Sequence, residues 1–435
     1  MTEHRPAAGP GGAGPRTGVA EPGTVEGAQL ITGIGELVTV DEELGTLHGA
    51  SVVVEGGRIA WVGQGPAPAA DTVVDVGGRA VLPGWVDSHT HLVFDGDRSA
   101  EFAARMAGQA YAAGGIGVTT GATRAADDAR LDGLVAARAA EAVAGGTTYL
   151  ETKTGYGLTV ADERRSARIA AAHVEEVTYL GAHLVPEDAA AEDYVDLVCG
   201  PMLAAVAPHA RWADVFCERG AFTPEQSRRV LTACRDAGLG LRVHGNQLGP
   251  GAGVELAVEL GAASVDHCNH LTDDDVGALA GSGADAHGRR RPGLETVACV
   301  LPACDLSTRA PLAPARRLLD AGATVAIASN CNPGTSYTSS MNFCVGTAVL
   351  QMGLSVEEAV TAATLGGARA LRRDAESLAA GTRPRPGRDE APVGRVAVGH
   401  RADLHVLDAP AAIHLAYRPG MPLTHAVWRH GARVL

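Results

Sequence analysis

A chain of 435 residues is long enough to bury a large core and to hold more than one domain. Its 50 acidic against 36 basic side chains give a formal charge of −14, which argues against nonspecific binding to nucleic acid or to an anionic membrane. A small anionic substrate stays open, because one local arginine suffices to hold a carboxylate.

In chain order, residues 1–26 (MTEHRPAAGPGGAGPRTGVAEPGTVE) are rich in Gly, Pro and Ala and lack the apolar run of a secretory signal, so they read as a disordered tail. Residues 27–82 carry strand-like runs separated by glycine turns: LITGIGELVTV, ASVVVEGGRIAWVG and TVVDVGGRAVL. From residue 83 to 373 short apolar runs alternate with Ala-rich helical segments. The runs WVDSH, TTYLETK, EVTYLGAH, WADVFCE, LGLRVHG, ASVDHC, TVACVL and TVAIASN make eight candidate strands, each followed by helix or loop. Eight β/α units predict an α/β fold, a distorted (β/α)8 barrel of the TIM type. With aromatics at only 4%, its core must be built from Ala, Val and Leu. Strand-like pattern returns in residues 390–435, and these are expected to join 27–82 in a small β-sandwich domain made by both chain ends. Two Gly/Pro/Arg-rich segments, 281–295 and 374–394, read as surface loops with solvated arginines. The eight cysteines form no CxxC pair and lie mostly in apolar runs, as buried free thiols of a reducing, cytoplasmic compartment would. No apolar stretch is long enough to span a membrane.

The chemistry is concentrated at the strand ends. In AVLPGWVDSHTHLVF (80–94), His89 and His91 are two residues apart and share one face of an extended segment. They suit a shared metal ion or, equally, an exposed loop with two solvated imidazoles. A barrel of this type works at the C-terminal ends of its strands. Those ends carry His89 and His91, then Lys153, His183, Glu218, His244, His267 and Asn330. Histidine at four of eight ends favours a mononuclear hydrolytic metal site over a purely structural cluster. Lys153 reads as the ion-pair partner of Glu151 or another acid, and Glu218 has no assignable role. Taken alone, Arg98 would pair with Asp95 or Asp97, Tyr156 would sit in a glycine turn, and Asn332–Gly334 would be a tight turn after strand eight.

PGWVDSHTHLVFDGDR, ETKTGYGLTVADE, TYLGAH, LRVHGNQLGPGAGVELAVELGAASVDHCNHL and SNCNPGTSYTSSM follow one another from residue 80 onward. Together they resemble the amidohydrolase superfamily and, within it, the imidazolonepropionase family. The resemblance implies ring-opening hydrolysis of 4-imidazolone-5-propanoate to N-formimidoyl-L-glutamate in histidine degradation. It also implies one divalent or trivalent metal ion per chain, zinc or iron, and is compatible with a homodimer. Carried over by position, His89, His91 and His244 would ligate the metal and His267 would stand beside the attacking water. Arg98 would hold the substrate carboxylate, with Tyr156, His183, Asn332, Gly334 and Thr335 as further substrate contacts.

Two positions depart from the family pattern. Asn330, in SNCNPG, stands where the superfamily has a metal-ligating, proton-accepting aspartate, and Gln247, in HGNQ, stands where many members have glutamate. An amide can offer its carbonyl oxygen to the metal but cannot take a proton. His267 is then the remaining general base. Three readings stay open: a working imidazolonepropionase, a diverged amidohydrolase acting on a related cyclic amide or amidine, and a catalytically weak homologue that binds ligand.

Overall fold

The computed structural model describes residues 27–108, 115–284, 291–382 and 389–435; the predicted N-terminal tail lies outside them. Ten-residue β1 (Gln29–Val38) and β2 (Thr46–Glu55) pair antiparallel, and β3 (Arg58–Gln64) adds to β2. On the other edge, β1 pairs in parallel with β4 (Thr72–Asp75) through residues 29–32 and with β5 (Ala80–Pro83) through Glu36 and Leu37. From the far end of the chain, β14 (Leu404–Leu407) pairs with β5, followed by β15 (Thr424–Arg429) and β16 (Ala432–Arg433). Residues from both ends therefore share one mixed eight-stranded sheet. Its buried face gathers Ile31, Ile34, Leu37, Val52, Val54, Ile59, Leu404 and Trp428.

The second sheet is the barrel: β6 (Trp85–Asp87), β7 (Thr147–Lys153), β8 (Glu176–Ala182), β9 (Trp212–Cys217), β10 (Gly240–Gly245), β11 (Ser264–His267), β12 (Val297–Val300) and β13 (Val325–Ile327). Each pairs in parallel with the next, as the sequence leads one to expect. The strands are buried almost without interruption, which explains their lack of polar alternation. Helices outside them start where the sequence offers caps: Thr223 with Gln226, Thr272 with Asp275 and Ser355 with Glu358 form reciprocal capping boxes.

The ring has a seam. Along their bodies β6 and β13 are not paired. They are joined only past their C-terminal ends, where Asn330 N donates to His89 O (2.9 Å), His91 N donates to Cys331 O (2.9 Å), and Thr90 bridges Cys331. Buried Asp87 reinforces this rung by accepting from Ser329 N (3.1 Å) and Ser329 Oγ (2.5 Å). Lower down, a π-helical turn (Ala362–Gly366) closes the gap. A Cβ on Gly366 would lie 2.3 Å from Val325 O and one on Gly367 2.2 Å from Val86 O, so only glycine lets this turn reach both strand edges.

The two segments expected as surface loops are more ordered than that where described. Asp374 caps a short helix, Ala375–Ala379, and Ser377 Oγ donates to Gly293 O (3.1 Å), so the two segments pack on each other with Asp374 and Ser377 buried. Their central arginines, Arg289, Arg290, Arg383, Arg385 and Arg388, lie outside the described residues. All eight cysteines are free thiols and all but Cys199 are buried. No helix among the described residues is long and apolar enough to cross a membrane.

Candidate active site

Five histidines converge at the C-terminal mouth of the barrel. His89 and His91 leave β6, His183 follows β8, His244 sits in β10 and His267 ends β11. All are buried. The Nε2 atoms of His89 and His91 are 3.3 Å apart, and the His89 ring lies 4.6 Å from that of His244 and 5.7 Å from that of His267, centre to centre. Ligand atoms of His89, His244 and His267 fall within 4.8 Å of one another.

Below them lies a layer of buried charge. His89 Nδ1 is 2.7 Å from Asp266 Oδ2, so it carries the proton and its Nε2 is left as a bare lone pair. His244 Nδ1 lies 2.9 Å from Asp214 Oδ2, although off the ideal hydrogen-bond direction, and His244 N donates to the other Asp214 oxygen (3.1 Å). His91 Nδ1, His267 Nδ1 and Asn330 Oδ1 are buried without a hydrogen-bond partner. Burial above all holds His89, His91 and His267 well below the ordinary imidazole value, so the rings are neutral at pH 7. Burial opposes ionisation of Asp266, but Arg242 and His89 beside it keep its carboxyl well below the usual range; His244 and Lys153 do the same for Asp214. Neutral imidazoles with bare nitrogens, backed by carboxylates and joined by a free amide oxygen, are the donor set that a zinc-like cation takes.

The substrate-side candidates surround this cluster. His91, Arg98, Tyr156, His183, His244, Gln247, His267, Asn330, Asn332 and Thr335 line one narrow inner chamber of about 30 Å³. An outer, largely apolar pocket of about 500 Å³ lies beyond Arg98 and Gly334. The Arg98 guanidinium crosses Gly334 so closely that a Cβ there would be 2.2 Å from Nη1.

The matching family model is that of the amidohydrolase family, over residues 80–384. Imidazolonepropionase from Arthrobacter sp. (strain FB24) is 67% identical over 405 residues, which cover 93% of this chain and 99% of that protein. The imidazolonepropionase of Saccharopolyspora erythraea is 66% identical, covering 93% and 98%. The chain belongs to the imidazolonepropionase family of the amidohydrolases. Among solved structures, a triazine hydrolase variant shares the fold at 19% identity with a TM-score of 0.72, covering 94% of each chain. An adenosine deaminase from Xanthomonas campestris with bound zinc does so at a TM-score of 0.65.

In this family member Arg98 pairs with neither Asp95 nor Asp97. It makes a two-pronged ion pair with Glu101, both bonds 2.8 Å, while Asp95 binds Arg130 and Asp97 caps Ser99. Glu101 takes Nε and Nη2, and Nη1 is not part of that pair. His183 Nδ1 donates to Gly155 O (2.9 Å), and burial lowers the ring to about 4, so a neutral Nε2 faces the chamber. Gly155, at φ +109°, has no room for a Cβ beside Leu180 O (2.8 Å). The turn reading for Asn332 also holds: its Oδ1 accepts from Gly334 N and Thr335 N (2.8 Å each) and its Nδ2 donates to Asn330 O (2.7 Å). Asn330 itself adopts φ +53° and His267 φ +83°, positive-φ conformations that are uncommon outside glycine and that asparagine and histidine enter more readily than most residues.

Several residues that build the site were missed from sequence. Glu218 Oε1 accepts from Leu248 N (3.3 Å) and from Gln247 N, shaping the loop that presents Gln247. Glu163 holds the TGYG turn through the amides of Gly155, Gly157 and Leu158 (3.0, 2.7 and 2.8 Å). Asp214 and Asp266 back the histidines. The signal for these two was present: an acid inside an apolar strand run (WADVFC, SVDH) is unexplained unless it is paired.

Proposed function

We propose that this chain hydrolyses the ring C–N bond of 4-imidazolone-5-propanoate to N-formimidoyl-L-glutamate, a step of histidine degradation, with one zinc or iron ion held by His89, His91 and His244. The observation that carries this reading is the meeting of bare imidazole nitrogens with a buried arginine across one chamber, in a chain so similar to imidazolonepropionases. When bound, the metal supplies Lewis-acid polarisation of the scissile carbonyl. Arg98 Nη1 takes the propanoate, fixing which end of the substrate faces the histidines. Tyr156 and His183 flank the ring, and Thr335 and Gly334 close its propanoate side. His267 accepts the proton of the attacking water and returns it to the ring nitrogen as the bond breaks. Asn330 offers a carbonyl oxygen at the centre, and Gln247 lines the chamber beside it; neither amide can carry that proton.

Asn330 also supports a second reading, a slow or ligand-binding homologue, because general acid–base help is typically worth about a hundred- to ten-thousand-fold in rate. One experiment separates the two: metal analysis of the purified protein, then assay of parent, Asn330→Asp and His267→Ala on imidazolone propanoate at matched metal content. Turnover by the parent, abolished in His267→Ala, supports the hydrolase. An inert parent rescued by Asn330→Asp supports the slow homologue, and an inert pair removes the substrate assignment.

A further inference from the structure

Lys153 reaches neither the chamber nor the solvent, yet it is fully buried directly beneath the histidines. Its ammonium lies 3.0 Å from Asp214, 3.2 Å from Glu151 and 3.7 Å from Asp266. Asp214 and Asp266 come from different strands, β9 and β11, and support different histidines, His244 and His89. Their carboxylate oxygens and His244 lie within 4.8 Å of one another, a spacing that by itself resembles a second cation site. Two buried carboxylates so close repel one another unless a cation stands between them. Lys153 is that cation. Arg242, 3.0 Å from Asp266, is a second one, but it touches only one of the two aspartates. The layer Glu151, Lys153, Asp214, Arg242 and Asp266 carries a net charge of −1, and only the lysine links both supporting carboxylates.

We propose that Lys153 is the positioning residue of the metal centre: one internal ammonium that holds Asp214 and Asp266 aimed at His244 and His89, and so sets the two histidines relative to each other. The proposal rests on the reading that these histidines hold a metal. It also explains why the aspartate pair needs no second metal ion, since the lysine already occupies the position between the two carboxylates.

The test uses Co2+, whose visible absorption reports ligand geometry, with affinity measured by chelator competition and folding by circular dichroism. Lys153→Met, if circular dichroism shows it folded, is expected to lose about 10- to 100-fold in Co2+ affinity, as loss of an outer-shell partner does, and to change the absorption band. Because three buried carboxylates then face one arginine, the fold itself is at risk. A pair that avoids this is Glu151→Gln and Glu151→Gln/Lys153→Met; the double variant keeps the net charge of −1 and leaves both aspartates in place. The double is expected to bind Co2+ at least tenfold more weakly than Glu151→Gln, with an altered band. Equal affinity and an identical band within that pair overturn the proposal, whatever Lys153→Met does. A parent that takes up no Co2+ overturns the metal reading and the proposal with it, a result visible before any variant is made.

Discussion

In the flanking sheet, Ile31, Ile34, Leu37, Val52, Leu404 and Trp428 pack into a continuous apolar cluster. Inside the barrel mouth the corresponding volume is filled by Glu151, Lys153, Asp214, Arg242 and Asp266, all fully buried. The sheet is stabilised by removing apolar surface from water, at roughly 25 cal/mol per Å². The ionic layer gains little this way, because desolvation of buried ions consumes much of their mutual attraction. Its value lies in direction: Asp266 and Asp214 face Nδ1 of His89 and His244 and so turn the Nε2 of each ring away from the layer. Stability and chemistry are therefore supplied largely by different parts of one chain.

The largest expected effect comes from cutting the ionic layer. Asp266→Ala strands Arg242 and leaves His89 unsupported, so urea unfolding should show a loss of about 3–5 kcal/mol, and metal analysis a depleted centre. A folded variant with parental metal content would show that the layer is ornamental to the site. The counterpart in the sheet is Ile34→Ala, which should cost about 2–4 kcal/mol while leaving kcat/KM and metal content at parental values when assayed well below the melting temperature. A fall in kcat/KM would mean that the two regions are coupled.

His405 is a buried titratable group on the sheet side. It lies in β14 against Trp85, with Nε2 3.0 Å from Thr424 Oγ1, and burial lowers it from 6.5 to about 3. As pH falls, the unfolded chain takes up this proton first. The contribution is thus complete above the unfolded value of 6.5 and is lost as pH drops toward 3. Between pH 7 and pH 5 the loss should be about 2 kcal/mol, read as the difference in urea-unfolding free energy between the parent and His405→Gln. Parallel pH curves for the two proteins would contradict it. The smallest effect is Arg98→Lys, which keeps the charge and loses the fork: KM for imidazolone propanoate should rise about tenfold, or about 1.4 kcal/mol, with kcat less affected. An equal rise for a neutral imidazolone would place the carboxylate elsewhere.

Strand order and the eight β/α units were legible because helical and extended periods alternate cleanly and several helices carry their own N-caps. The mouth histidines were legible because they all stand at strand ends. The partner of Arg98 was not, since the nearer acids Asp95 and Asp97 are drawn off by Arg130 and Ser99, leaving Glu101, one helical turn on. Nor were the ties made by Glu163 and Glu218, because a carboxylate that binds backbone amides leaves no residue-specific trace in the pattern. The packing of residues 291–295 on 374–379 was hidden by a composition rich in Gly, Pro and Arg.

The seam between β6 and β13 ties closure of the ring to the chemistry of its mouth. Its closing rung is made by the backbones of His89, His91, Asn330 and Cys331, and the first three of these also carry candidate donor atoms. A substitution at any of those three positions therefore meets two filters, one for what the side chain does and one for whether the ring still shuts. A change such as aspartate to asparagine at position 330 passes the second filter, since both residues accept its left-handed backbone, and is exposed only to the first. At position 330, side-chain chemistry is thus separable from closure of the ring.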